Sequence, residues 1–215
     1  MARLDKSVLG FVSGKLGEFV FRRMNGKKFV SLSPDKYRIS QSNEAKKGRA
    51  NFAATVKFAR FINSIPELKE IWSGAKVEGT NSYHRIIKYN AKSVNSGKLT
   101  ASNKITPDGL QLTISSISLK EKNILELNIS LSPDKLNFPA VLYLIFVFDN
   151  KEILYQHTVI EKEAPEYTLN IRLNNMIINN LKGSPNMLLY GTVIGNKLNR
   201  EEIFWTSTAT IEWMN

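Results

Sequence analysis

The chain has 215 residues, enough for one large domain or two small ones. It has no cysteine, which excludes disulfides and thiolate metal sites. The net charge of +11 is unevenly spread: residues 1–104 carry 21 Lys+Arg against 7 Asp+Glu, and residues 105–215 carry 9 against 12.

In chain order, Gly10, Gly14 and Gly17 punctuate LGFVSGKLGEF and predict a flexible lead-in or a bulged strand. Asn25-Gly26 predicts a tight hairpin, because both residues tolerate positive φ. Phe19 and Phe21 share one face of its first strand, with Val20 on the other. Arg22, Arg23, Lys27 and Lys28 crowd the turn end. Ser33-Pro34-Asp35 closes the second strand. The sextet SLSPDK at 31–36 recurs at 130–135, which is read as one turn chemistry used twice. Residues 43–63 predict a helix with Ser42 as N-cap and Glu44 in the first turn. Phe52, Val56, Ala59 and Ile62 form its expected apolar stripe, and Lys46, Arg49, Lys57 and Arg60 a basic stripe beside it. Pro66 ends that pattern. A short helix follows through Trp72, and another covers 82–91. The Ser/Asn/Gly-rich stretch NAKSVNSGKLTASNK is the expected linker.

Beyond residue 105 the texture turns to strands. Segments near 110–117, 123–131, 140–148, 152–160, 167–173, 187–195 and 203–213 are rich in β-branched and aromatic residues, separated by turn signals such as Pro107-Asp108-Gly109 and Asp149-Asn150. The run VLYLIFVF does not alternate, so it is expected either as a central strand buried on both faces or as an interface strand. The predicted fold class is α+β: a basic hairpin and helices over 1–104, then an Ig-like antiparallel β-sandwich over 105–215.

Little of this carries catalytic chemistry. His84 and His157 lack metal-ligand spacing and are read as surface or partly buried residues. Glu161/Glu163 and Glu201/Glu202 are read as solvated edge charges. Ser13-Gly14-Lys15 fails the phosphate-loop pattern, since Leu16 stands where a hydroxyl is required. Trp205 and Trp213 are a carbohydrate platform only as a third, weaker option, and are otherwise core or interface residues. No enzyme, cofactor, metal or small-molecule substrate is expected. The longest apolar run, 138–148, is shorter than the roughly 20 residues of a membrane helix. The N-terminus has no continuous apolar core of a signal peptide. A soluble, cytoplasmic protein without a membrane partner is expected.

The motif GKLGEFVFRRMNGKKFVSLSPDK, followed by KKGRANFAATVKFARFI, resembles the opening of an uncharacterised bacterial family marked by G-K-x-G-x-V-V-x-R-x-x-N-G-K. Gly14, Lys15, Gly17, Val20, Arg22, Asn25, Gly26, Lys27, Pro34, Arg49 and Phe52 match it. NSYHRIIKYN is similar to the family's short aromatic-to-Asn helix. The resemblance spans residues 10–92 and departs from the family's pattern at ISQSNEAKKG. It implies no catalytic residue. Similar openings occur in phage-like structural proteins, which implies an assembly role.

The leading expectation is therefore a non-enzymatic structural protein. It would dock on itself, as a homo-oligomer, or on another protein through Phe19, Phe21, Arg22, Arg23, Lys27 and Lys28. The alternative is a nucleic-acid or ribonucleoprotein binder that adds Lys46, Arg49, Lys57 and Arg60 as phosphate contacts.

Overall fold

The structure is a computed structural model, and it describes residues 2–4, 13–24, 26–33, 39–120, 123–131, 138–161, 164, 166–184, 186–196 and 203–214. Residues 34–36 of the first SLSPDK copy and 132–135 of the second lie outside them, as do Asn25, Glu163, Glu201 and Glu202. Two compact units emerge, Met1–Ser42 and Asn43–Asn215.

The first unit is a four-stranded antiparallel sheet. Strands β1 (Ala2–Leu4), β2 (Gly14–Leu16), β3 (Phe19–Met24) and β4 (Lys27–Leu32) run in the order β1-β4-β3-β2. The register pairs Met24 with Lys27 across a tight reversal in which Gly26 has φ +76. Upstream, Leu16 pairs with Phe19 around a two-residue turn, in which Gly17 has φ +57. The glycine-punctuated lead-in is thus partly a strand of the same sheet, because a glycine makes that reversal without steric cost.

The second unit is α+β. Helices α1 (Asn43–Ser64), α2 (Pro66–Gly74) and α3 (Ser82–Asn90) come first. Pro66 starts α2, where its missing N–H is no loss. Asn81 caps α3 by accepting from the His84 N–H at 2.9 Å. The strands follow: β5 (Leu112–Lys120), β6 (Ile124–Leu131), β7 (Ala140–Phe148), β8 (Ile153–Ile160), β9 (Glu166–Arg172), β10 (Asn186–Asn196), β11 (Ile203–Trp205) and β12 (Ala209–Met214). Helix α4 (Asn175–Gly183) interrupts them, capped by Asn174. One antiparallel sheet has the order β5-β6-β9. The other runs β11-β10-β7-β8, and β12 also pairs with β10.

Strand β7 explains the layering. Its Leu142, Leu144 and Phe146 join Leu125, Leu127 and Ile129 of β6 in one core between the sheets. Its Tyr143 and Ile145 join Phe58, Ile62 and Trp72 of the helices in a second core. The five-stranded sheet is therefore the middle layer, buried on both faces, and VLYLIFVF has no polar face to alternate with. The expected boundary at 104/105 falls inside the second unit. The linker stretch itself is anchored: Asn103 is buried and donates to the Asn90 carbonyl at 3.2 Å.

Candidate functional site

In the first unit, strand alternation puts Phe19, Phe21 and Arg23 on one face of β3 and Val20 and Arg22 on the other. The register then lines up Leu16, Phe19 and Leu32 as one cross-strand row. All three are exposed, at 65%, 49% and 66%. The next row on this face is Phe21 with Val30, and the one after is Arg23 with Lys28. This small sheet thus carries an apolar patch that grades into cations. Of the predicted contact residues, Phe19, Phe21, Arg23 and Lys28 share that face. Arg22 pairs with Phe29 on the other, and Lys27 stands opposite Met24. Leu16 and Leu32 were missed because each was read in isolation, and only the register joins them. Ser13-Gly14-Lys15 leads into strand β2 rather than a helix N-terminus, so it lacks the geometry of a phosphate loop.

In the second unit, the apolar stripe of α1 is rotated from expectation. Thr55, Phe58, Ala59 and Ile62 are buried, whereas Phe52 is 62% exposed. Phe58 packs on Tyr190 with ring centroids 5.7 Å apart, and Thr55 satisfies its hydroxyl on the Asn51 carbonyl at 2.8 Å. A helix turn of about 100° per residue then puts Lys46, Arg49, Lys57 and Arg60 on the face opposite the core. All four are exposed.

The second unit also holds a cavity of about 320 Å³ at one end of the five-stranded sheet. Its floor is a cross-strand row, Ile153–Val147–Leu188–Glu212, running from β8 through β7 and β10 to β12. Ala54 and Lys57 of α1 and the 97–99 turn wall it, and the loop 149–151 closes the β7–β8 end. Lys98 lies 3.5 Å from Asp149, which also accepts from the Asn186 amide at 3.1 Å. Lys57 Nζ donates to the Lys151 carbonyl. Of the lining residues, the sequence singles out Lys57 as a candidate contact, Trp213 as a candidate platform or core residue, and Asp149 only as part of a turn. The cavity draws on segments 54–57, 97–99, 147–153, 186–188 and 212–213, and no local pattern joins segments so far apart.

The remaining candidates do not form a constellation. His84, on the first turn of α3, has its Nδ1 2.6 Å from Thr80 Oγ1, and His157 of β8 lies beside Tyr143 of β7 with the rings tilted, centroids 5.7 Å apart. Trp205 pairs with Ile194 and Trp213 with Met187, so the two indoles mark opposite ends of β10 and share no platform. Among the described residues, no group of three or more His, Cys, Asp or Glu is placed to hold a metal ion. No described helix is long and apolar enough to cross a membrane.

No family model matches this chain, and no curated protein matches it. A solved structure, the X-ray structure of Northeast Structural Genomics Consortium target SoR45, is similar over 49% of this chain and 83% of its own, at 12% identity and a TM-score of 0.28. A likeness of that size carries no argument about fold or function.

Proposed function

We propose that the protein is a non-enzymatic structural or assembly protein whose N-terminal sheet docks onto a second copy of the chain. The observation that carries this reading is the exposed row Leu16–Phe19–Leu32, which grades into Arg23 and Lys28 on the same face. Apolar side chains in a contiguous exposed patch, bordered by charge, suit a protein partner better than solvent. We read the two facing sheets of the larger unit as an Ig-like sandwich. Its balance of 9 Lys+Arg against 12 Asp+Glu over 105–215 makes it the complementary acceptor. The resemblance to openings of phage-like structural proteins points the same way, and the lack of cysteine suits assembly in the cytoplasm.

The test is light-scattering chromatography of nuclease-treated protein. The expected result is a discrete species larger than the monomer and free of nucleic acid. Replacing Arg22, Arg23, Lys27 and Lys28 with Ser, or Leu16, Phe19 and Leu32 with Ser, returns it to a folded monomer. Unchanged assembly in both variants overturns the reading.

The exposed face of α1, with Lys46, Arg49, Lys57 and Arg60 on one side, favours a second reading, contact with nucleic-acid phosphates. That reading expects binding to single- or double-stranded nucleic acid that weakens steeply with salt. It fails if the nuclease-treated protein shows none at low salt.

A further inference from the structure

We propose that the cavity at the end of the five-stranded sheet binds a small amphiphilic anion, an aliphatic or aromatic body carrying one carboxylate or sulfonate group. This goes beyond the assembly reading and stands on different residues.

The volume, about 320 Å³, falls in the range of roughly 300–1,000 Å³ typical of small-molecule sites. The floor explains the apolar body. Val147 and Leu188 are cross-strand neighbours, both only partly buried, and Leu99 borders them. These side chains leave apolar surface open at a place where helix and sheet otherwise pack closely.

The rim explains the anion. Lysines 57, 98 and 151 stand against two carboxylates, and one of those, Asp149, is already engaged by Lys98 and Asn186. The other, Glu212, lies on β12 at the far end of the floor row. A negative headgroup is repelled there and drawn to the loop end, which orients the ligand.

Lys151 is the most telling residue. Asp149, Asn150 and Lys151 form a three-residue hairpin loop, closed by the Phe148 N–H on the Glu152 carbonyl at 3.0 Å and the Lys151 N–H on the Phe148 carbonyl at 2.9 Å. Lys151 occupies the left-handed position of that loop, at φ +67. Glycine fills such a slot without strain. A lysine there holds a strained backbone at a residue that lines the cavity, and strain of this kind gathers at functional sites. The same loop is braced from α1 by Lys57 on the Lys151 carbonyl.

The test is a fluorescence titration of the full chain with 8-anilinonaphthalene-1-sulfonate, competed by decanoate or by decyltrimethylammonium. One saturable site is expected, emptied by decanoate and not by the cation of equal tail. Lys151→Gly is expected to weaken binding about tenfold, the loss of one charged contact, while the thermal midpoint stays the same or rises. Ala54→Phe, which fills the cavity from α1, is expected to abolish it. Equal competition by the cation, full affinity in Lys151→Gly, or binding that survives Ala54→Phe each overturns the proposal.

Discussion

The indole N–H of Trp72 donates to the carbonyl of Ile105 at 2.8 Å, and both residues are fully buried. This bond ties α2 to the segment that leads into the strands. Trp72→Phe orphans the Ile105 carbonyl and shrinks the ring, so it is expected to cost about 2–4 kcal/mol. Urea unfolding followed by circular dichroism measures it. The same packing predicts that residues 105–215 made alone lack native tertiary structure, since Tyr143, Ile145 and Tyr190 lose the helices that cover them. Residues 43–215 are expected to keep it. Dispersed amide spectra from the shorter piece would refute this.

Thr208 holds the segment at the other side. Its hydroxyl oxygen accepts from the Ile105 N–H at 2.9 Å and the Thr106 N–H at 3.0 Å. Thr106 in turn donates to the Thr206 carbonyl at 2.9 Å. These bonds fill the break between β11 and β12, where the edge strand leaves β10. Thr208→Val keeps the shape and strands two buried donors, which is expected to cost about 2–4 kcal/mol. A loss well under 1 kcal/mol in chemical denaturation would mean that other groups recapture those donors.

Much of the fold was legible because it rests on local pattern. Asn25-Gly26 marks its hairpin, Pro66 marks where the first helix pattern stops, and the unbroken run of β7 marks a strand with no solvent face of its own. The last predicted strand, 203–213, is two strands, because its break at 206–208 is held by threonines whose partners lie about a hundred residues away. Helix α4 was not foreseen. Its three asparagines are weak helix formers, and Ile177 is its one fully buried side chain. The stripe of α1 was misplaced because Phe58, not Phe52, faces the core that the helices share with the sheet, where it packs on Tyr190. The cavity had no signal in sequence, because cross-strand register builds its floor.

Two glycines are expected to respond oppositely to alanine. A Cβ on Gly109 would lie 2.5 Å from the Trp205 carbonyl oxygen and 2.7 Å from its ring. It would also push Leu110 away from that carbonyl, to which its N–H donates at 3.1 Å. Gly109→Ala is expected to cost about 1–3 kcal/mol, as overpacking does. A Cβ on Gly48, in exposed α1, meets nothing within 4 Å, and Gly48→Ala is expected to stabilise by up to about 1 kcal/mol. Thermal midpoints of the two variants moving in the same direction would refute this account.

Stability is expected to fall at alkaline pH, because the phenols of both Tyr143 and Tyr190 are held protonated in the folded chain. Burial pushes its phenol up from 10.0 to about 12, with the Glu67 carboxylate and Tyr155 adding to the rise. Burial and the Glu212 carboxylate also raise Tyr190. A phenol is neutral when protonated, so between 10 and 12 the folded chain keeps a proton at Tyr143 that the unfolded chain has lost. Stability is then fully present below pH 10 and declines as pH rises towards 12. Tyr143→Phe removes that ionisable group and its slope, while Tyr190 keeps its own. The midpoint of urea unfolding, followed from pH 8 to 11.5, is expected to fall less steeply in Tyr143→Phe than in the parent chain. Parallel curves would show that the Tyr143 phenol ionises alike in the folded and unfolded chains.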